Sequence, residues 1–156
     1  MLPVSINKPH HTQEHSTSCL PASAKMLLNF IGDMIEEAEL RDLLGTTDRG
    51  TAVINILKLN ASLPDVKAEL HEWLLANLFE YLDNRLHPCI VIVWTGALPY
   101  WSDGDDLHAV VVHGFDDEHI FINDPYFNDQ EFRVPIETFL AAWAETENLA
   151  ITIERR

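Results

Sequence analysis

Four residues of this chain carry the types and the order needed for nucleophilic chemistry: Gln13, Cys19, His108 and Asp124. Cys19 opens the segment Cys19-Leu20-Pro21-Ala22-Ser23-Ala24-Lys25-Met26-Leu27-Leu28, in which Leu20, Ala24, Leu27 and then Ile31 recur at helical spacing. Ser18 suits an N-cap, and Pro21 fits only a first turn, where its missing N–H costs nothing. The pattern therefore predicts Cys19 at the amino end of a buried helix. Unpaired N–H groups and the positive end of the helix dipole meet there, and both favour thiolate over thiol. An inert core cysteine is the plain alternative.

A thiolate needs a base and an orienter. Leu107 to Phe115 and His119 to Asn123 read as two strands joined by Asp116-Asp117-Glu118, a hairpin by pattern. His108 lies eight residues before Asp116, and Asp124 lies six after Glu118. Antiparallel pairing brings both to the end away from the turn, within side-chain reach. A histidine heading a run as apolar as Ala109-Val110-Val111-Val112 must find partners. Asp124 can accept one imidazole N–H and leave the other nitrogen for the thiol, the logic of a catalytic triad; a purely structural His–Asp pair is the alternative. Gln13, six residues before Cys19, can aim its side-chain amide, with the Cys19 backbone N–H, at a developing oxyanion.

Other elements must position these groups. Asp33 and Glu36 form a capping-box-like start and Gly45 a stop, so 34–44 is expected to be a second helix. A third is expected from near Thr51 to Asn60, a strand over 66–70, and a further helix over 71–85. Cys89 to Trp94 is β-branched and apolar on both faces, hence a central strand, with Cys89 a buried structural thiol. Thr95 to Asp106 reads as a loop. Tyr100 and Trp101, beside the acids Asp103, Asp105 and Asp106, are expected to line a substrate groove there. Gln130 to Val134 suits an edge strand, Pro135 an N1 position for a last helix through Trp143, and Leu149 to Ile153 a closing strand.

Composition limits the partners. At 156 residues the chain is expected to form one domain, 1–156, with a single substantial core. The 25 acids against 10 bases give a net charge of −15, which argues against nucleic acid and against anionic membrane surfaces. No apolar run is long enough to span a bilayer, so no membrane insertion is expected. Two distant cysteines without metal spacing, and no secretory signal, point to a reducing, cytoplasmic setting. His10, His11 and His15 show no ligand spacing, so neither metal nor cofactor is expected.

The segments Gln13-x5-Cys19-Leu-Pro-Ala-Ser, His108-Ala-Val-Val-Val-His-Gly-Phe-Asp-Asp and Ile122-Asn-Asp-Pro-Tyr together resemble the papain-like cysteine peptidases of the bacteriocin-processing (double-glycine leader) peptidase family. They are closer still to its stand-alone relatives, and the similarity covers about residues 10–145. The resemblance implies an α+β papain-like fold, an N-terminal helical half packed on a C-terminal antiparallel sheet. It implies an oxyanion-hole role for Gln13, nucleophile for Cys19, base for His108 and orienter for Asp124. Where the family usually has glycine after the nucleophile this chain has Leu20, which bears on substrate fit by narrowing the cleft, by excluding a Gly-Gly scissile site, or by packing inward. The transporter domains that follow such peptidases in leader-processing exporters are absent from the sequence, so leader cleavage does not simply carry over. The expected activity is peptide-bond hydrolysis on a peptide or protein substrate. The alternatives are a non-catalytic peptide-binding module on the same fold and an acyl transferase using the same residues.

Overall fold

The computed structural model describes residues 3–156. In chain order its elements are β1 (Val4–Ser5), α1 (Cys19–Phe30), α2 (Glu37–Leu44), a 3-10 helix (Val53–Lys58), α3 (Leu59–Ser62), β2 (Val66–Glu72), α4 (Leu75–Arg85), β3 (Cys89–Trp94), a 3-10 turn (Thr95–Ala97), β4 (Leu107–Phe115), β5 (His119–Asn123), β6 (Glu131–Pro135), α5 (Ile136–Ala144) and β7 (Leu149–Arg155). The strands form one seven-stranded antiparallel sheet in the order β2-β7-β3-β4-β5-β6, with β1 on β4.

The unbroken apolar run of β3 is explained by helices on both faces of the sheet. Cys89, Val91 and Val93 pack with Val110 and Val112 against Leu78 and Leu82 of α4 and Phe139 and Trp143 of α5. Ile90 and Ile92 pack with Ala109, Val111, Ile151 and Ile153 against Leu20, Ala24, Leu27 and Leu28 of α1. Alternation along two adjacent strands thus builds two apolar layers, and α1 is held on β4 by the second. This is the α+β architecture expected, with α4 and α5 added on the far face.

Several boundaries differ from the sequence reading. Residues 53–58 are 3-10 and not α-helical; Ile56 and Leu59 are the buried pair, and their spacing of three matches three residues per turn. His71 and Glu72 belong to β2 because β7 offers partners as far as Leu149, and the His71 Nε2 lies 2.9 Å from the Thr152 Oγ1. Helix α2 begins at Glu37, and no side chain caps it; Gly45 stops it at φ 68°, as its position suggested. Pro135 closes β6 and precedes α5 instead of standing in its first turn.

The lead-in also has structure. Past Val112, where β3 has ended, β1 takes its place beside β4, pairing Val4 with Phe115 and Ser5 with Gly114. Gly114 permits this: a Cβ there would sit 2.2 Å from the Val4 carbonyl oxygen. His113 lies in the register shift between Val112 and Gly114, where β4 bulges against β5. No helix among the described residues is long and apolar enough to cross a membrane.

Candidate active site

Ser18 occupies the N-cap position of α1, but its hydroxyl does not cap the helix. It accepts the His15 N–H at 3.1 Å and donates to the His15 carbonyl at 3.0 Å. The first intrahelical bond, Ala22 N–H to the Ser18 carbonyl, is 3.0 Å. With no side chain over the helix start, the backbone N–H groups of the first turn stay open to an anion. The Ser23 hydroxyl donates to the Ala109 carbonyl at 3.4 Å, which fixes the amino end of α1 against the start of β4.

That contact puts Cys19 beside His108. Burial opposes ionisation of the Cys19 thiol, but its hydrogen bond to His108, the charge of that ring and the Ala109 backbone together bring it below the ordinary thiol value. Burial likewise opposes the His108 cation, yet hydrogen bonds to Asp124 and Cys19 outweigh it and raise the imidazole to about 9. The two shifts are coupled, the charged form of each group favouring the charged form of the other. Cys89, fully buried in apolar surroundings, is pushed up instead.

His108 Nε2 lies 2.6 Å from Asp124 Oδ1, so Nδ1 is the ring nitrogen left for the thiol. Asp124 is completely buried and surrounded by donors. Its Oδ1 also accepts the Tyr126 backbone N–H at 2.9 Å; its Oδ2 accepts the Tyr100 hydroxyl at 2.9 Å and the Trp101 indole N–H at 3.0 Å. Four donors on two oxygens, with no acceptor facing them, suit a carboxylate.

Tyr100 therefore lies behind the reacting groups. Its ring stacks on Phe132 with centroids 3.9 Å apart, and burial, then Asp124, push its phenol far up. Trp101 has two faces: it bonds Asp124, meets the His108 ring edge-on at 5.2 Å, and also borders the cleft. Leu20 is 3% exposed and packs inward with the α1 core, so it does not narrow the cleft.

Gln13 does not border the cleft's cavity, and its amide is partly spent. Its Nε2 donates to the His15 carbonyl at 2.8 Å, its backbone N–H reaches the Pro125 carbonyl at 2.7 Å, and its Oε1 is buried without a hydrogen-bond partner among the described residues. A second amide N–H remains. The segment is clamped from the other side by Glu37, fully buried at the head of α2, whose carboxylate accepts the Glu14 N–H at 3.0 Å and pairs with His11 and Arg41. His11, Glu14 and Glu37 lie close enough to share a cation, but Arg41 already takes both carboxylates.

The cleft in front of Cys19 and His108 has a volume of about 360 Å³. Trp101, Leu107 and Tyr126 give it an apolar side, Asp103, Asp105 and Asp106 an acidic rim, and Arg49 a guanidinium. The donors that Tyr100 and Trp101 supply to Asp124 escaped the sequence reading, which assigned both to substrate. The signal was present in stoichiometry: a buried carboxylate bonded to one histidine has acceptor sites left over that other donors must fill.

Residues 5–151 match the model of the Peptidase_C39 like family. No match is found among curated protein sequences. Among solved structures, the chain is similar to one described as a C39-like peptidase from Bacillus anthracis, at 20% identity and a TM-score of 0.79, covering 100% of this chain and 99% of that one. A double glycine motif protease from an AMS/PCAT transporter, in complex with the leader peptide, matches at 22% identity and 0.73, covering 100% and 99%. The Carica candamarcensis cysteine protease in complex with E-64 matches at 13% identity and 0.67, covering 97% and 94%. At such identities the likeness is one of fold, and it is the papain-like fold.

Proposed function

As the chain belongs to the Peptidase_C39 like family, we propose that it is a cysteine peptidase with Cys19 as nucleophile, His108 as acid and base, and Asp124 as the group that orients His108. The observation carrying this reading is the line of contacts from thiol to imidazole to buried carboxylate, 2.6 Å at its second link. The Cys19 thiolate adds to a peptide carbonyl carbon. The resulting oxyanion is received by the Cys19 N–H and, in this reading, by the free amide N–H of Gln13. His108 gives its proton to the departing amine, leaving a thioester on Cys19. A water then loses a proton to His108 and attacks the thioester, which frees the acid and restores the ion pair.

The substrate is a peptide entering past Trp101, Leu107 and Tyr126. Because one structural relative is bound to a leader peptide, a peptide with a Gly-Gly pair is the first to offer. Two unpaired cysteines suit a reducing compartment, and we place the protein in the cytoplasm. Labelling with an epoxide probe followed by mass mapping tests the reading. Modification at Cys19 alone, lost in Cys19→Ala, is expected; modification at neither cysteine, or only after unfolding, overturns it. Gln13→Ala is expected to lower kcat by about 10²–10³, the worth of one oxyanion donor. An unchanged kcat removes Gln13 from the mechanism and leaves the rest standing.

A further inference from the structure

Papain-like chemistry needs an acceptor behind the histidine, and either a carboxylate or a carboxamide oxygen can serve. We infer that Trp101 is a positioning residue whose indole N–H, together with the Tyr126 backbone N–H, makes this site accept only a carboxylate at position 124. The inference rests on the Cys19–His108 reading above and adds a constraint to it.

Asp124 Oδ1 takes the His108 Nε2 and the Tyr126 N–H; Oδ2 takes the Tyr100 hydroxyl and the Trp101 indole N–H. An asparagine of the same shape replaces one oxygen by an NH2 group, which only donates. With the NH2 in the Oδ2 position it faces the Trp101 N–H, donor against donor. The Tyr100 hydroxyl can turn and accept, but an indole N–H cannot. With the amide flipped, the NH2 faces the Tyr126 backbone N–H, which is equally fixed. It also faces His108 Nε2 and favours the ring in which that nitrogen has lost its proton, so the imidazolium beside Cys19 is disfavoured. Both orientations fail, and only the first is repaired by removing the indole N–H.

Asp124→Asn is therefore expected to be costly here, and Trp101→Phe is expected to relieve it. In the double variant the amide oxygen accepts His108 and Tyr126, while the NH2 donates to Tyr100. Tyr100→Phe removes no fixed donor and gives no relief. The other ionisable groups around the pair, Tyr126, Asp103, Asp105, Asp106 and Arg49, are common to all these variants.

Iodoacetamide alkylation of Cys19 as a function of pH, read by mass mapping, needs no substrate and reports the thiolate–imidazolium pair. Asp124→Asn is expected to raise the midpoint pH. Adding Trp101→Phe is expected to bring it back so that alkylation at pH 6 is about tenfold faster than in Asp124→Asn, as befits removal of one buried donor that had lost its acceptor. Adding Tyr100→Phe instead should give no recovery. Trp101→Leu serves as a second replacement should the phenylalanine variant not fold, and thermal midpoints accompany each. A packing role for Trp101 predicts a lower thermal midpoint with no recovery of alkylation, and that outcome overturns the proposal, as does equal recovery by Tyr100→Phe. If wild-type Cys19 itself titrates like a free thiol, the catalytic reading fails first.

Discussion

Cys19 and Cys89 are the same side chain in opposite surroundings. One meets a helix start, the His108 imidazole and the Ala109 backbone; the other is fully buried in an apolar core. Iodoacetamide at pH 6 is expected to modify Cys19 quickly and Cys89 only on unfolding, since a thiol near its ordinary pKa of ~8.5 is almost wholly protonated there. The paired state ends on the alkaline side when His108 loses its proton. Its value is raised above the free imidazole, to about 9, so its contribution is full below ~6.5 and fades as pH rises through about 9. Turnover is expected to fall above about pH 9, read from kcat/KM across pH. His113 has the opposite sign. Burial, then Lys8, lower it to about 4, so the folded chain resists protonating a ring that the unfolded chain protonates below ~6.5. Stability is expected to decline between pH 6.5 and 4, and less steeply in His113→Leu, by thermal melts at each pH.

At the scale of elements, the segment bearing Gln13 is strapped between α2 and the turn after β5. Glu37 carries one end of the strap. Glu37→Ala leaves the Glu14 N–H and His11 without their buried acceptor, a cost of about 1–3 kcal/mol. For a chain of this length that is a fall of roughly 2–12 °C in Tm. Gly114 is the corresponding hinge of β1. Gly114→Ala drives a methyl into the Val4 carbonyl, so β1 is expected to leave β4 and expose residues 3–6 to limited proteolysis.

Elements with a strong period were legible in the sequence. The apolar run of β3 and the stripe of α1 each state how they are buried, and the hairpin of β4 and β5 carried His108 and Asp124 to one end. What was not legible depended on partners distant in sequence. His71 and Glu72 are strand because β7 lies alongside them, β1 exists because β3 stops short, and Tyr100 turns to Asp124 because the carboxylate has lone pairs to fill. Ser18 was placed at the right position, but its hydroxyl found the His15 backbone first. The Leu20 reading had three branches, and packing on the α1 side of the sheet selects the inward one.

For the whole molecule, charge dominates. A net −15 on 156 residues repels itself, so raising ionic strength from about 10 to 200 mM is expected to raise Tm by a few degrees. Most of the acids lie on exposed positions, while the buried Glu37 and Asp124 have close donors. Salt should therefore change stability more than it changes the alkylation midpoint of Cys19. A parallel shift of both would mean that the site is governed by the general field and not by its own contacts.

The sheet order also sets a schedule. Cys19 sits in the first helix, but His108 lies 89 residues later and Asp124 105 residues later (108 − 19 and 124 − 19). At a synthesis rate of about 5–20 residues per second, the thiol precedes its imidazole by roughly 4–18 s. During that time Cys19 is an ordinary cysteine on a growing chain, poorly ionised and without a proton donor. β3 also waits for β7, its neighbour from the far end of the chain. Chains halted on the ribosome before His108 are expected to alkylate at Cys19 with the pH dependence of a free thiol. Until residue 124 has been made, the chain carries the thiol without the two groups that would activate it.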